Sequence, residues 1–118
     1  MANVAEYQTH IENLIKEYSH YKPSYGDMET ELVFDREHNH YMLVNVGWNQ
    51  YERVSGCVLH LDIKGGKIWV QQDGTEQGIT DELMAKGVPK EDIVLAYHAP
   101  YKRKHTGFAV GYSPLQMN

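Results

Sequence analysis

Two adjacent glycines, Gly65 and Gly66, separate RVSGCVLHLDI (53–63) from KIWVQQ (67–72), and both flanking stretches are rich in aliphatic, β-branched and aromatic residues. A two-residue connection between such stretches predicts a tight β-hairpin. Its primed turn needs positive φ at both central positions, which glycine adopts without a Cβ clash. The turn also sets the register: Ile63 opposite Ile68, Asp62 opposite Trp69, Leu61 opposite Val70, and His60 opposite Gln71. Because side chains alternate between the faces of a strand, Leu59, Leu61, Ile63, Ile68 and Val70 share one face. His60, Asp62, Trp69, Gln71 and Asp73 share the other, together with Val58.

Two more apolar stretches precede the hairpin, ELVFD (31–35) and HYMLVNVGW (40–48), bounded by the polar stretches REHNH and NQYE. Together the four stretches read as an antiparallel meander. Carrying the pairing back through NQYE adds Met42, Val44 and Val46, then Leu32 and Phe34, to the apolar face. It leaves Glu31, Val33, Tyr41, Leu43 and Asn45 on the mixed face. An open antiparallel sheet ordinarily alternates apolar and polar positions more cleanly. The mixed face is therefore expected to be partly covered by the C-terminal segment, a second subunit or a partner protein.

Before the meander, Tyr7, Ile11, Leu14, Ile15 and Tyr18 recur at helical spacing between Val4 and Tyr21, with Glu6, Glu12, Lys16 and Glu17 on the other side. KPSYG ends this amphipathic helix, since Pro23 cannot continue it. After the meander, ITDELMAKG predicts a short helix with Thr75 or Thr80 as its cap and Gly87 and Pro89 beyond its end. PKEDI suggests a further helical turn. IVLAYH and TGFAVG read as short extended pieces around the basic loop APYKRKH. The expected fold is a single α+β domain over residues 1–118. Its antiparallel β-meander packs the N-terminal amphipathic helix and the second short helix on one face.

A chain of 118 residues is long enough to bury one core without disulfides or a structural metal. The single cysteine, Cys57, has no partner for an internal disulfide, which points to a reducing cytoplasm. No apolar run approaches the roughly 20 residues that span a bilayer, and the N-terminus lacks the pattern of a signal peptide. A formal net charge of −5 argues against attraction of nucleic acid by the whole surface. Basic charge is concentrated instead at Lys102, Arg103 and Lys104, where any direct nucleic-acid contact is expected.

Catalytic motifs are absent. There is no HExxH, Cys-x-x-Cys or Gly-x-Ser-x-Gly. Ser55 and Cys57 are conceivable nucleophiles, but the register puts Cys57 on the core face, where a thiol is inert packing. His60 and Asp62 with Asp73 or Gln71 offer a conceivable metal set, while Asp73-Gly74-Thr75 also fits plain turn chemistry. His38 and His40 fall in a loop, where histidines are ordinarily solvated. No catalytic residue, cofactor or metal is therefore assigned. Tyr41, His60, Asp62, Trp69 and Gln71 are expected to form a protein-docking surface.

The ordered segments KPSYGDMETELVFD, HYMLVNVGW, GCVLHLDIKGGKIWVQQDGTEQGI and GVPKEDIVLAYHAPYKRKHTGFAVG resemble the XisI family, the fdxN element excision controlling factor proteins of cyanobacteria. The likeness runs from about Tyr7 to Gly111. It implies a controlling factor for programmed DNA excision that works with an XisH-like protein and has no assigned catalytic residues. With the absence of catalytic motifs and the single cysteine, the expected function is a non-enzymatic, cytoplasmic accessory factor for site-specific DNA recombination. It contacts an XisH-like partner or a second copy of itself, any DNA contact being expected to be indirect. A direct nucleic-acid-binding module built on residues 102–104 is the alternative reading, and a metal-assisted hydrolase at His60, Asp62 and Asp73 is a third.

Overall fold

The computed structural model describes residues 4–21, 26–75 and 78–111. In chain order these form α1 (Val4–Tyr18), β1 (Asp27–Asp35), β2 (His40–Asn49), β3 (Glu52–Lys64), β4 (Lys67–Asp73), α2 (Ile79–Ala85), a 3-10 turn (Lys90–Asp92), β5 (Ile93–Leu95) and the single-turn α3 (Pro100–Arg103). α1 stops at Tyr18, three residues short of the expected Tyr21 and before KPSYG, of which residues 22–25 lie outside the described residues.

The sheet has the order β1-β2-β3-β4-β5. The first four strands form the expected antiparallel meander. A fifth strand then adds in parallel to β4, through Ile68↔Ile93, Trp69↔Val94 and Val70↔Leu95. Parallel neighbours require a crossover connection, and α2 lies within it. At the β3–β4 turn, Gly65 and Gly66 have φ of 58° and 77°, the left-handed values expected of a primed hairpin turn.

Two β-bulges reassign the faces. The β2–β3 register breaks between Leu43 and Val44 because β3 carries one extra residue, Val58. Tyr41 therefore faces Leu61, and Leu43 faces Leu59. A slip of one residue exchanges the two faces of a strand. Tyr41 and Leu43 thus join the core, whereas Met42, Val44 and Val46 move to the other face, opposite to expectation. Asn45 and Val58 also turn toward the helical side, and Cys57, paired with Val44, leaves it. Leu32 and Phe34, opposite Leu43 and Tyr41, lie on the core face as expected. The second bulge makes Gln71 the extra residue of β4, so that His60 pairs with Gln72 rather than Gln71.

Both helices cover the core face. Ile11, Leu14 and Ile15 of α1 and Ile79 and Leu83 of α2 are fully buried, as are Tyr41, Leu59, Leu61, Ile68, Val70 and Ile93 from the sheet. The polar edge of α1 is tied to the loop after β1 by a bidentate pair, Arg36 Nε to Glu12 Oε2 at 2.6 Å and Nη2 to Oε1 at 3.1 Å. Asp73 fixes the start of α2. Its carboxylate accepts from the backbone N–H of Thr75 at 3.0 Å and of Ile79 at 2.8 Å. Thr75 Oγ1 accepts from the Gly78 N–H at 3.2 Å, so Thr75 rather than Thr80 engages the approach to α2. Asp73→Ala is expected to cost about 1 kcal/mol, typical of a lost helix-start acceptor, read as a lower midpoint in urea unfolding.

At the other end of α1, Tyr7 donates its hydroxyl to Asp92. Burial, then the Asp92 carboxylate, push the Tyr7 phenol up to about 12. An unfolded tyrosine ionises near about pH 10. Below that pH the phenol is protonated in both states and its contribution is complete. As the pH rises toward 12, the unfolded chain releases its proton first, and stability falls by up to about 1.4 kcal/mol per pH unit. Tyr7→Phe is expected to flatten this alkaline loss, measured by urea unfolding between about pH 9 and about pH 11.

Candidate functional site

The face of the sheet turned away from the helices is built in rows of cross-strand neighbours. One row runs Asp35, His40, Asp62, Trp69 and Val94; the next runs Val33, Met42 and His60. In the centre of these rows lies a polar cluster. Asp62 is buried, and its Oδ1 stands 2.8 Å from His40 Nδ1 and 3.0 Å from His60 Nε2. Its Oδ2 accepts from Gln71 Nε2 at 3.1 Å. With the imidazole protons on those two nitrogens, the buried carboxylate receives three donors, which satisfies a group that would otherwise be costly to desolvate. Asp62→Ala strands the two imidazoles and the amide and is expected to destabilise the fold by about 1–3 kcal/mol, read by chemical denaturation.

Each member is placed by the sheet. His60 and Asp62 are two apart on β3 and point the same way. His40 opens β2 directly opposite Asp62, and the β4 bulge brings Gln71 to the same carboxylate. His40, expected in a loop, is instead the first residue of β2. The signal for it was the distance along the hairpin, but Val58 moves that count by one. His38, by contrast, is exposed and pairs locally with Asp35, Nδ1 to Oδ2 at 2.8 Å.

Of the five residues expected to form a docking surface, His60, Asp62 and Gln71 come together. Tyr41 does not: it is fully buried on the helical face, against Phe34 with ring centroids 5.9 Å apart. Trp69 is on the expected face, yet only 9% exposed, because the chain's own C-terminal segment covers it. Ala109 bridges to Val94, and at Gly111 the backbone passes so close that a Cβ there would meet Trp69 Cη2 at 2.7 Å. The Arg103 guanidinium lies over the same ring at 5.5 Å and Lys64 Nζ at 5.2 Å. Of the three covers anticipated for this face, the C-terminal segment supplies the one over Trp69.

The basic segment divides as well. Arg103 is buried and donates from Nε to the His98 carbonyl at 3.1 Å and from Nη2 to the Ala96 carbonyl at 3.2 Å. Lys102 and Lys104 remain exposed. A guanidinium that ties α3 to the β5 exit is unavailable to a phosphate, so the segment offers two surface cations rather than three. Asp73, the other carboxylate considered for a metal, is occupied at the start of α2 and joins no cluster with His60. The Cys57 thiol is half-buried, and burial pushes its pKa up, which keeps it protonated and unreactive near neutrality.

Beyond the polar cluster the outer face carries an apolar stripe along β2, flanked by Glu29 and Glu31 of β1 and by Arg53 and Ser55 of β3, and no described residue covers it. Val33 and Trp48 are exposed, and Met42, Val44, Val46 and Cys57 are half-buried. Arg53 stacks over Trp48 at 5.5 Å, and Tyr51 at the β2–β3 turn is 98% exposed. No helix among the described residues is long and apolar enough to cross a membrane.

The sequence matches the XisI protein family over residues 1–110. No curated protein matches the chain. Among solved structures, a XisI-like protein from Anabaena variabilis ATCC 29413 superposes with a TM-score of 0.87 at 44% identity, covering 92% of this chain and 100% of that one. The fdxN element excision controlling factor XisI from Anabaena variabilis ATCC 29413 superposes with a TM-score of 0.80 at 33% identity, covering 92% and 98%. The resemblance in the ordered sequence segments and the shared helix-and-sheet architecture thus have one source: the chain belongs to the XisI family.

Proposed function

We propose that this chain is a non-enzymatic factor in the control of DNA excision, acting in the cytoplasm by docking an XisH-like protein on the outer face of its sheet. The excision role is carried over from the family and from the 33%-identical neighbour described as an fdxN element excision controlling factor. The observation that carries the docking reading is the apolar stripe of Val33, Met42, Val44, Val46 and Trp48, rimmed by Glu29, Glu31 and Arg53 and left uncovered by the described residues. Exposed apolar patches with a polar rim mark protein contacts, and an exposed tryptophan such as Trp48 is a favoured anchor in them. Any DNA contact is indirect in this reading, since the acidic chain presents only Lys102 and Lys104 from its basic segment.

Binding of a purified XisH-like protein, measured by isothermal titration, tests it. Val44→Asp places a charge in the middle of the face and is expected to abolish binding while leaving the helical core untouched. Trp48→Ala is expected to weaken binding by about 2 kcal/mol, or roughly 30-fold. Unaltered affinity in both variants would place the contact elsewhere. Absence of binding by the unaltered chain, or nuclease activity intrinsic to it, would overturn the reading itself.

A further inference from the structure

We propose that His40, His60 and Asp62 form a binding site for one divalent first-row transition-metal ion, for which zinc is the probe. One ring nitrogen of His40, one of His60 and an Asp62 oxygen all lie within 4.8 Å of one another. Among the described residues they are the one group of three such side chains that converges in this way. Metal bonds of about 2.0–2.2 Å to imidazole nitrogen and carboxylate oxygen set neighbouring ligand atoms roughly 3–3.5 Å apart. His40 Nδ1 and His60 Nε2 already stand 2.8 and 3.0 Å from Asp62 Oδ1. An ion therefore needs only side-chain rotations that turn the three ligand atoms from one another toward a common centre, with each neutral imidazole carrying its proton on its other ring nitrogen.

Three further features fit a binding site. The ligands stand on paired strands rather than loops, which holds their geometry before the ion arrives. Gln71 holds Asp62 Oδ2 at 3.1 Å, the outer-shell support that orients a ligating carboxylate. The side chains of His40 and His60 are 51% and 32% exposed, so the ion has an entry path and keeps an open position for water or an incoming ligand. Two imidazoles and one carboxylate suit borderline ions such as zinc, cobalt and iron(II), and are a poor set for calcium or magnesium. The inference is independent of the excision reading, since it concerns an ion and not a partner.

The test is zinc titration of the chelator-stripped full chain, followed by calorimetry and by thermal unfolding. One equivalent is expected to bind and to raise the unfolding temperature. Gln71→Ala, a positioning change, is expected to weaken binding by about 10–100-fold, and His40→Ala by more. Circular dichroism of the metal-free variants checks that the fold survives, as expected for the half-exposed His40. Cobalt(II) added to the unaltered chain gives a readout that needs no variant: visible bands of a nitrogen–oxygen site, without thiolate charge transfer. Failure of stripped protein to take up zinc or cobalt would overturn the site. So would equal zinc binding by His40→Ala, because it would assign the ion to other histidines of the seven in the chain.

Discussion

Trp69→Ala is expected to lower the stability of the fold by about 3–5 kcal/mol, the usual cost of removing a large buried aromatic side chain. The ring does more than fill space. It is the platform on which Val94, the Gly111 backbone and the Arg103 guanidinium rest, so its loss leaves a cavity beneath a buried charged group. Arg103 would keep its two carbonyl acceptors but lose the aromatic surface that shields it. Local loosening is therefore expected to concentrate in residues 99–111, as faster amide exchange there than in the β1–β3 hairpins. Urea unfolding followed by circular dichroism measures the global effect. A loss under about 1 kcal/mol, as for an exposed surface residue, would show that the C-terminal segment does not bury this ring. The chain's two tryptophans supply a control: Trp48, 49% exposed, is expected to emit at longer wavelength than Trp69 and to be nearly neutral to stability when truncated.

Tyr41→Ala should destabilise by a comparable amount, about 3–5 kcal/mol, and for a different reason. Tyr41 is fully buried between the sheet and α1, packed against Phe34. Its hydroxyl reaches Asn39 Oδ1 at 3.4 Å, an oxygen that also accepts from Gln8 Nε2 of α1 at 2.7 Å. Tyr41→Phe keeps the packing and discards only that long hydrogen bond, so it is expected to cost no more than about 1 kcal/mol. The two variants separate packing from hydrogen bonding. They also distinguish the two possible registers of β2. If Tyr41 lay on the outer face, alanine there would be tolerated and Met42→Asp would be lethal to folding; with the observed bulge the order of severity is reversed.

The two residues show where local reading stops. Around Gly65-Gly66 the backbone requirement is local, positive φ at two successive positions, and the pairs Ile63–Ile68, Asp62–Trp69 and Leu61–Val70 follow from it. The helical period of Tyr7, Ile11, Leu14 and Ile15 is local in the same sense, and it places those side chains in the core. HYMLVNV is different. It is apolar at both parities, so alternation does not choose between Tyr41 with Leu43 and Met42 with Val44. The choice is made by packing: the larger tyrosine goes under α1, and an extra residue, Val58, absorbs the shift. The one local hint of that bulge is Gly56 two residues before it, since an isolated glycine inside a strand often marks a bulge, but it does not say which residue is extra.

The polar cluster divides along the same line. That His60 and Asp62 share a face follows from their spacing on one strand. His40 joins them only because the bulge pairs it with Asp62, and Gln71 because a second bulge keeps it near the carboxylate. The segment Tyr101–Lys104 could be read for its charge but not for its burial, because the fate of Arg103 depends on a ring 34 positions earlier in the sequence. The first helix, the four meander strands, the second helix, the hairpin turn and the family membership were legible in the sequence itself, from short-range backbone preference and the order of segments. The helical turn at Pro100–Arg103, expected as a loop, and the start of β1 at Asp27 were not. Tertiary structure alone decided which face each β2 side chain occupies, what covers Trp69 and which histidines meet Asp62. Those outcomes depend on how the sheet accommodates bulky groups under the helices, an energy shared among residues far apart in the chain.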